Sequence, residues 1–331
     1  MENLIDFGLA SSRSPHSISM TSFMLHSTKK HLGKSPHFAT ALVCAVFHLK
    51  AAELPAEKPL WKGNPGGPAI ELDLESVRQL EASVHSPSGS NRVFSQISEP
   101  SYTIHQASKA TATGVGLVLC PGGGYRDVWL DREGHDLGIW LQKQGITTLV
   151  LKYRTNYRAN QTEAAYPWAD YLRAATADAR QALQILRTQA SSRHLDPEKI
   201  GIGGFSAGGH LALSVSLGMY GANEPDATLP GPNFAGLFYP WLREDLTAEG
   251  IIEEHHALPP MFFMNALDDR LTPADRCIEF FKRIHKKGIP CELHLYSQGG
   301  HGFDLGEGKG ASTPMWKESF VAWLADTGFI R

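Results

Sequence analysis

The chain has 331 residues, 42% hydrophobic and 20% charged, with 31 basic side chains against 34 acidic ones and a net charge of −3. That balance leaves no positive excess for a phosphate backbone, and four cysteines are too few for a disulfide-built scaffold. No apolar run reaches the roughly 18 residues of a membrane span, which excludes a multispan membrane protein, and the composition excludes collagen and whole-chain disorder. A soluble globular protein, most simply an enzyme, is the expectation.

Residues 1–37 are rich in Ser, His and Lys and lack an apolar period, whereas 38–49 (FATALVCAVFHL) are almost wholly apolar and follow Lys29, Lys30 and Lys34. A basic segment followed by about a dozen apolar residues is the arrangement of a secretory leader, too short to span a bilayer. Counted from Met20 or Met24 to Ala51 or Ala52, such a leader has an ordinary length. Residues 1–52 are therefore read as a leader, with translation from an internal Met and a periplasmic or secreted product. Its cleavage site is imperfect, because Lys50 or Leu49 stands where a small residue is preferred. A short apolar helix in a cytoplasmic protein is the alternative. Loss of the leader removes Cys44 and leaves Cys120, Cys277 and Cys291, an odd number that argues against a disulfide framework while leaving a single Cys277–Cys291 bridge open.

Pro and Gly are frequent over 53–89, which reads as an arm along the surface, with short edge strands following at 93–97 and 102–106. From Val115 the pattern becomes regular. Apolar strands are expected at 114–120, 146–153, 200–205, 234–239, 261–266 and 291–296. Helices are expected at 134–144, 171–190, 208–217, 273–287 and 314–325, the second with a three/four spacing at Leu172, Ala175, Ala179, Ala182, Leu183 and Leu186. Unbroken apolar strands alternating with helices predict an α/β domain over 90–331, with a mainly parallel sheet covered on both faces. Sites in such sheets lie beyond the carboxyl ends of the strands.

At the end of the 200–205 strand stands Gly204-Phe205-Ser206-Ala207-Gly208, a G-x-S-x-G that enters a helix. A strand turning abruptly into a helix holds its corner residue under strain and needs small neighbours, and it presents the Ser206 hydroxyl in the open. The Ala207 N–H, at the helix start, is placed to stabilise an oxyanion. A tight turn in which the glycines only permit close packing is the plainer alternative. Cys120-Pro121-Gly122-Gly123-Gly124-Tyr125 follows an earlier strand, and its glycines can offer successive N–H groups to one point. With no G-x-x-x-x-G-K-[ST] and no basic side chain in the loop, Gly123 and Gly124 read as oxyanion donors rather than a phosphate cradle.

A nucleophilic serine needs a base, and the base an orienting acid. Position selects His301, in the Gly-rich loop after the last strand, over His294 within that strand, His285 on a basic helix and a structural His210. Asp269, just after the 261–266 strand, is the expected acid, with its neighbour Asp268 capping the loop or replacing it and Asp245 a remoter rival. Tyr125, Trp129 and Trp241 stand in loops near this edge, either as sugar-stacking aromatics or as packed rim residues.

These segments together resemble the α/β-hydrolase esterases, and more narrowly the acetylxylan esterase-like branch whose members often carry a xylanase label. The segments that carry the resemblance are CPGGGY (120–125), EGHD (133–136), LKYR (151–154), IGIGGFSAGGHLA (200–212), ALDDRLTP (266–273) and ELHLYSQGGHGF (292–303). The order Ser206, Asp269, His301 is that of the fold. The resemblance implies serine ester hydrolysis of short acyl groups on xylan-like carbohydrate, without cofactor or metal. An amide or peptide hydrolase on the same fold, and a non-catalytic carbohydrate-binding protein, are the other readings. Pro121 stands where many lipase relatives carry His. Glu133 and Arg154 are assigned structural salt links only, and no pair of carboxylates for a glycosidase is found.

Overall fold

The computed structural model describes residues 53–220, 230–247, 251–254 and 258–331. The expected leader, with Cys44, lies outside the described residues. In chain order the strands and first helices are β1 (Lys58–Pro59), β2 (Ser76–Gln79), β3 (Arg92–Ser95), β4 (Ser101–His105), β5 (Gly116–Cys120), β6 (Asp127–Val128), α1 (Asp136–Lys143), β7 (Thr147–Lys152) and α2 (Trp168–Thr188). There follow β8 (Ile200–Phe205), α3 (Ala207–Ser216), β9 (Ala235–Phe238), α4 (Glu244–Thr247), α5 (Ile251–Glu254), β10 (Met261–Ala266), α6 (Ala274–Lys286), β11 (Cys291–Tyr296) and α7 (Trp316–Asp326).

The main sheet has the order β1-β4-β7-β5-β8-β9-β10-β11, parallel from β7 to β11, with β1 and β4 antiparallel at one edge. Strand alternation divides the core in two. Val118 and Cys120 of β5, with Met261 and Phe263 of β10, face the layer that holds α2, α3 and α6 residues. Leu117 and Leu119, with Phe262 and Met264, face the layer of α1 and α7. The spacing read for α2 is met by burial of Leu172, Ala175, Ala179, Ala182, Leu183 and Leu186. In α6 the buried positions are Ala274, Cys277, Phe280 and Ile284, again one face.

The register brings the chemistry together. Chain order crosses from β5 to β7 on one side and then to β8 on the other, so the loops after β5 and β8 diverge at a topological switch point. Cys120 pairs Gly204, Phe205 pairs Phe238, Phe238 pairs Met264, and Ala266 pairs Tyr296. The carboxyl ends of five neighbouring strands are thus level, and the loops leaving them share one rim.

Two features differ from the sequence reading. The segment 53–89 carries strands of its own: β1 joins the edge of the main sheet, and β2 joins β3 and β6 in a separate antiparallel sheet. Hydrogen bonds anchor it, with the guanidinium of Arg154 donating to Gly66 O at 2.7 Å and to Pro68 O at 3.1 Å. The second difference is a π-helical turn at Asp131–His135, ahead of α1, with Asp131, Glu133, Gly134 and His135 buried. Cys277 and Cys291 are free, so the bridge left open by their number is not made. Among the described residues no helix is long and apolar enough to cross a membrane.

Candidate active site

Ser206 occupies the corner between β8 and α3 at φ 51° and ψ −116°. A non-glycine residue there carries strain of about 1–3 kcal/mol, which surrounding structure must hold. A Cβ on Gly204 would come within 2.2 Å of Gly208 O, and one on Gly208 within 2.0 Å of Cys120 O, so both flanking glycines are required for space. The Ser206 N–H donates to Phe238 O at 3.0 Å, and its carbonyl accepts from the Trp241 N–H at 2.9 Å. These ties to β9 and the loop beyond it hold the strained corner.

His301 Nε2 lies 3.0 Å from Ser206 Oγ, and Nδ1 lies 2.9 Å from Asp269 Oδ2. With the Nδ1 hydrogen directed at the carboxylate, Nε2 is left to accept from the serine hydroxyl. Asp269 Oδ1 accepts from the N–H groups of Leu271 and Thr272, and Oδ2 also accepts from Thr272 Oγ1 at 2.8 Å. Burial pushes this carboxyl up, but the hydrogen bond and charge of His301 and the Thr272 donors outweigh it and hold the pKa below the ordinary value. Asp268 points away and accepts the Gly300 N–H at 2.7 Å, which fastens the loop carrying His301. The Asp245 side chain lies outside the described residues.

The Pro121–Tyr125 loop runs against Ser206: a Cβ on Gly122 would lie 3.0 Å from Ser206 Cβ. The Gly122 N–H is already engaged, donating to Glu133 Oε2 at 2.6 Å. Gly123 at φ 134° and Gly124 at φ 64° follow, and their N–H groups have no acceptor among the described residues. The Ala207 N–H opens α3, where a helix leaves its first donors without intrahelical partners. The N–H groups of the three expected donors are thus uncommitted among the described residues.

Glu133 needs correction. It is not in a salt link; its buried carboxylate accepts from the Gly122 N–H and, at Oε1, from Tyr239 Oη at 2.8 Å. Its neighbour Arg132 donates from Nη2 to Gly302 O at 2.8 Å and pairs through Nε with Asp304 Oδ2, also at 2.8 Å. One π turn thus holds the glycine loop by one residue and the histidine loop by the next. Single π turns recur at functional sites because they re-aim consecutive side chains. The signal was present as four charged or titratable residues in DREGH, but only burial tells such a cluster from a solvated face. Burial pushes Asp304 up to about 7 against the opposing charge of Arg132. Arg154 keeps the structural role expected of it, in a buried pair with Asp178 at 2.8 Å.

Tyr125 is fully buried, its hydroxyl 2.6 Å from His210 Nδ1, so it is packing rather than a rim platform. Trp241 and Trp168 are half-buried with the Arg243 guanidinium 5.0 and 4.6 Å from their ring centres, and Trp129 lies under Arg132 at 4.5 Å. His294 pairs with Glu292 and His285 stacks on Phe281, both away from the serine. Sequence reading passed over His105 and His135, buried with Nε2 and Nδ1 2.8 Å apart. Burial holds His105 down to about 4; burial and the His105 charge hold His135 down to about 3. Among the described residues no three metal-ligating side chains cluster.

Comparison with known proteins accords with this architecture. Residues 167–255 match the sequence model of a family described as having the alpha/beta hydrolase fold. An acetylxylan esterase of Xylanibacter ruminicola is 31% identical over 221 residues, 59% of this chain and 42% of that protein. The chain spans only part of the length of the curated relatives it matches, 42%, 32% and 53%. Among solved structures, an acetyl ester-xyloside bifunctional hydrolase of Caldicellulosiruptor lactoaceticus superposes with a TM-score of 0.59 at 22% identity, covering 84% of this chain and 99% of that one, a likeness of fold. Esterase 2 of Thermogutta terrifontis has a TM-score of 0.56 at 26% identity, covering 70% and 91%. The chain has the α/β-hydrolase fold.

Proposed function

We propose that the protein is a serine carboxylic-ester hydrolase that removes acetyl or other short acyl groups from carbohydrate, with Ser206 as nucleophile, His301 as base and Asp269 as orienting acid. The observation that carries the reading is the continuous chain Ser206 Oγ, His301, Asp269, with contacts of 3.0 and 2.9 Å. Ser206 Oγ attacks the ester carbonyl carbon while His301 Nε2 takes its proton. Asp269 fixes the imidazole tautomer and stabilises the imidazolium. The N–H groups of Gly123, Gly124 and Ala207 receive the oxyanion. Collapse breaks the bond to the alcohol oxygen, which leaves with the proton from His301. Water then adds to the acyl carbon, gives its proton to His301 and frees the acid as Ser206 recovers its hydrogen.

The acetylxylan esterase relative and the acetyl ester-xyloside hydrolase neighbour support carbohydrate as the alcohol. The basic-then-apolar pattern over residues 29–49 supports action outside the cytoplasm, where a polymeric substrate is met. N-terminal sequencing of the native protein tests that part: a mature form that retains residue 30 overturns it. For the chemistry, Ser206→Ala is expected to lower kcat on p-nitrophenyl acetate by about 10⁵-fold or more with the fold retained. A variant within tenfold of the parent overturns the assignment.

A further inference from the structure

The mechanism places the sugar on a particular side. His301 protonates the departing alcohol, so the carbohydrate that carries that oxygen lies against the His301 loop while the acyl group lies toward the glycine loop. The same loop, continuing from Gly302 to Lys309, forms one wall of a cleft of about 390 Å³, whose opposite wall is the segment Glu81–Asn91 and whose floor includes Arg132 and Asp136. That volume is at the lower end of the roughly 300–1,000 Å³ of small-molecule sites.

We propose that this cleft is a glycan subsite, which binds a neutral, hydroxyl-rich sugar unit of the chain whose ester is presented to Ser206; the inference rests on the esterase reading above. Four carboxylates (Glu81, Asp136, Asp304 and Glu307) line it against the two cations Arg132 and Lys309, which disfavours an anionic ligand. Its one aromatic ring besides His85, that of Phe303, is buried, so a nucleobase finds no stacking face. Hydroxyl groups, which both donate and accept, are suited to what remains. Asn91 Oδ1 is a buried acceptor without a partner, while its amide nitrogen is held by Glu81 O at 2.9 Å. Asp136 commits Oδ1 to Ser86 Oγ and the Ser88 N–H, and Oδ2 has no partner among the described residues. Lys309 is exposed; its backbone N–H donates to Gly306 O at 3.1 Å, but its ammonium makes no hydrogen bond or ion pair among the described residues. A buried acceptor left unsatisfied is costly, and a ligand hydroxyl relieves that cost.

The test compares acetylated xylotetraose with p-nitrophenyl acetate. The double variant Asn91→Ala/Lys309→Ala is expected to raise KM for the acetylated oligosaccharide about tenfold, with kcat/KM for the aryl ester within twofold of the parent. Ser83→Trp, an exposed position that fills the cleft from the rim, is expected to act in the same sense. Unacetylated xylotetraose should bind the Ser206→Ala protein and lose that binding when the double variant is added. A parallel loss on both substrates, no change on either, or no binding of xylotetraose by Ser206→Ala overturns the subsite. Full activity of Ser206→Ala on the aryl ester overturns the esterase reading instead, so the two failures are told apart.

Discussion

The carboxyl rim of the sheet and the π turn beneath it divide the work of the site. Rim loops carry the groups proposed to react: Ser206 at a strained corner, Gly123 and Gly124 in a glycine run, and His301 in another. Such backbone has little of its own to hold it in place. The turn at Asp131–His135 is the opposite, buried and fastened by charge, with Asp131 bound to Arg92 at 2.7 Å and Glu133 and Arg132 reaching the glycine loop and the histidine loop. Precision at the rim is supplied from the buried layer. Substitutions at the rim should therefore remove chemistry and spare the fold, whereas substitutions in the turn should weaken both.

That contrast orders the expected effects. Below the loss at Ser206, Asp269→Asn is expected to lower kcat by about 10⁴-fold, since an amide favours the wrong imidazole tautomer; steady-state kinetics check it, and a drop under tenfold breaks the division. Glu133→Gln keeps an acceptor for the Gly122 N–H and should cost kcat about tenfold with KM unchanged. Glu133→Ala leaves the buried Gly122 N–H without its acceptor and Tyr239 Oη with only a 3.4 Å contact to Asp304 Oδ1, and should cost about 10²-fold in kcat and about 1–3 kcal/mol in denaturant unfolding. Equal behaviour of the two Glu133 variants argues against positioning through that hydrogen bond.

The buried histidines sharpen the comparison by pH. His105 and His135 are held neutral at values of about 4 and about 3, below the ordinary histidine value near 6.5. The unfolded chain therefore takes up protons that the native one refuses as pH falls from about 6.5 to about 4, and stability falls across that window by up to about 1.4 kcal/mol per unit for each group. Thermal unfolding at pH 7 and pH 4.5 measures it, and His135→Gln should flatten the slope. The smallest effect is expected at Asp268→Asn, which keeps an oxygen for the Gly300 N–H: a loss of less than about fivefold in kcat, against the large loss at its neighbour.

Much of the fold was legible because its signals are local. The apolar runs at 200–205 and 261–266 coincide with strands buried along their whole length, since a strand covered on both faces needs an unbroken apolar run, whereas 291–296 alternates and forms the partly buried edge strand β11. Helix 134–144 was misjudged at its start, because the π turn ahead of it depends on charges satisfied from distant segments: Arg92 for Asp131, and Gly122 with Tyr239 for Glu133. The segment 53–89 showed no strand pattern, as β1 and β2 are held by an edge and a small sheet rather than by buried faces of their own.

What the sequence by itself determined is the corner at Ser206, with glycines where a Cβ would strike backbone, and the chain order of serine, aspartate and histidine. Only the tertiary structure decided which of two adjacent aspartates faces the imidazole, that Glu133 holds a backbone amide rather than a cation, and that Tyr125 is packing. The physical reason is range. Strain and periodicity act between near neighbours and leave a mark in the residue order. A buried hydrogen bond joins groups as much as 106 residues apart, as between Glu133 and Tyr239, and becomes visible only when both are placed.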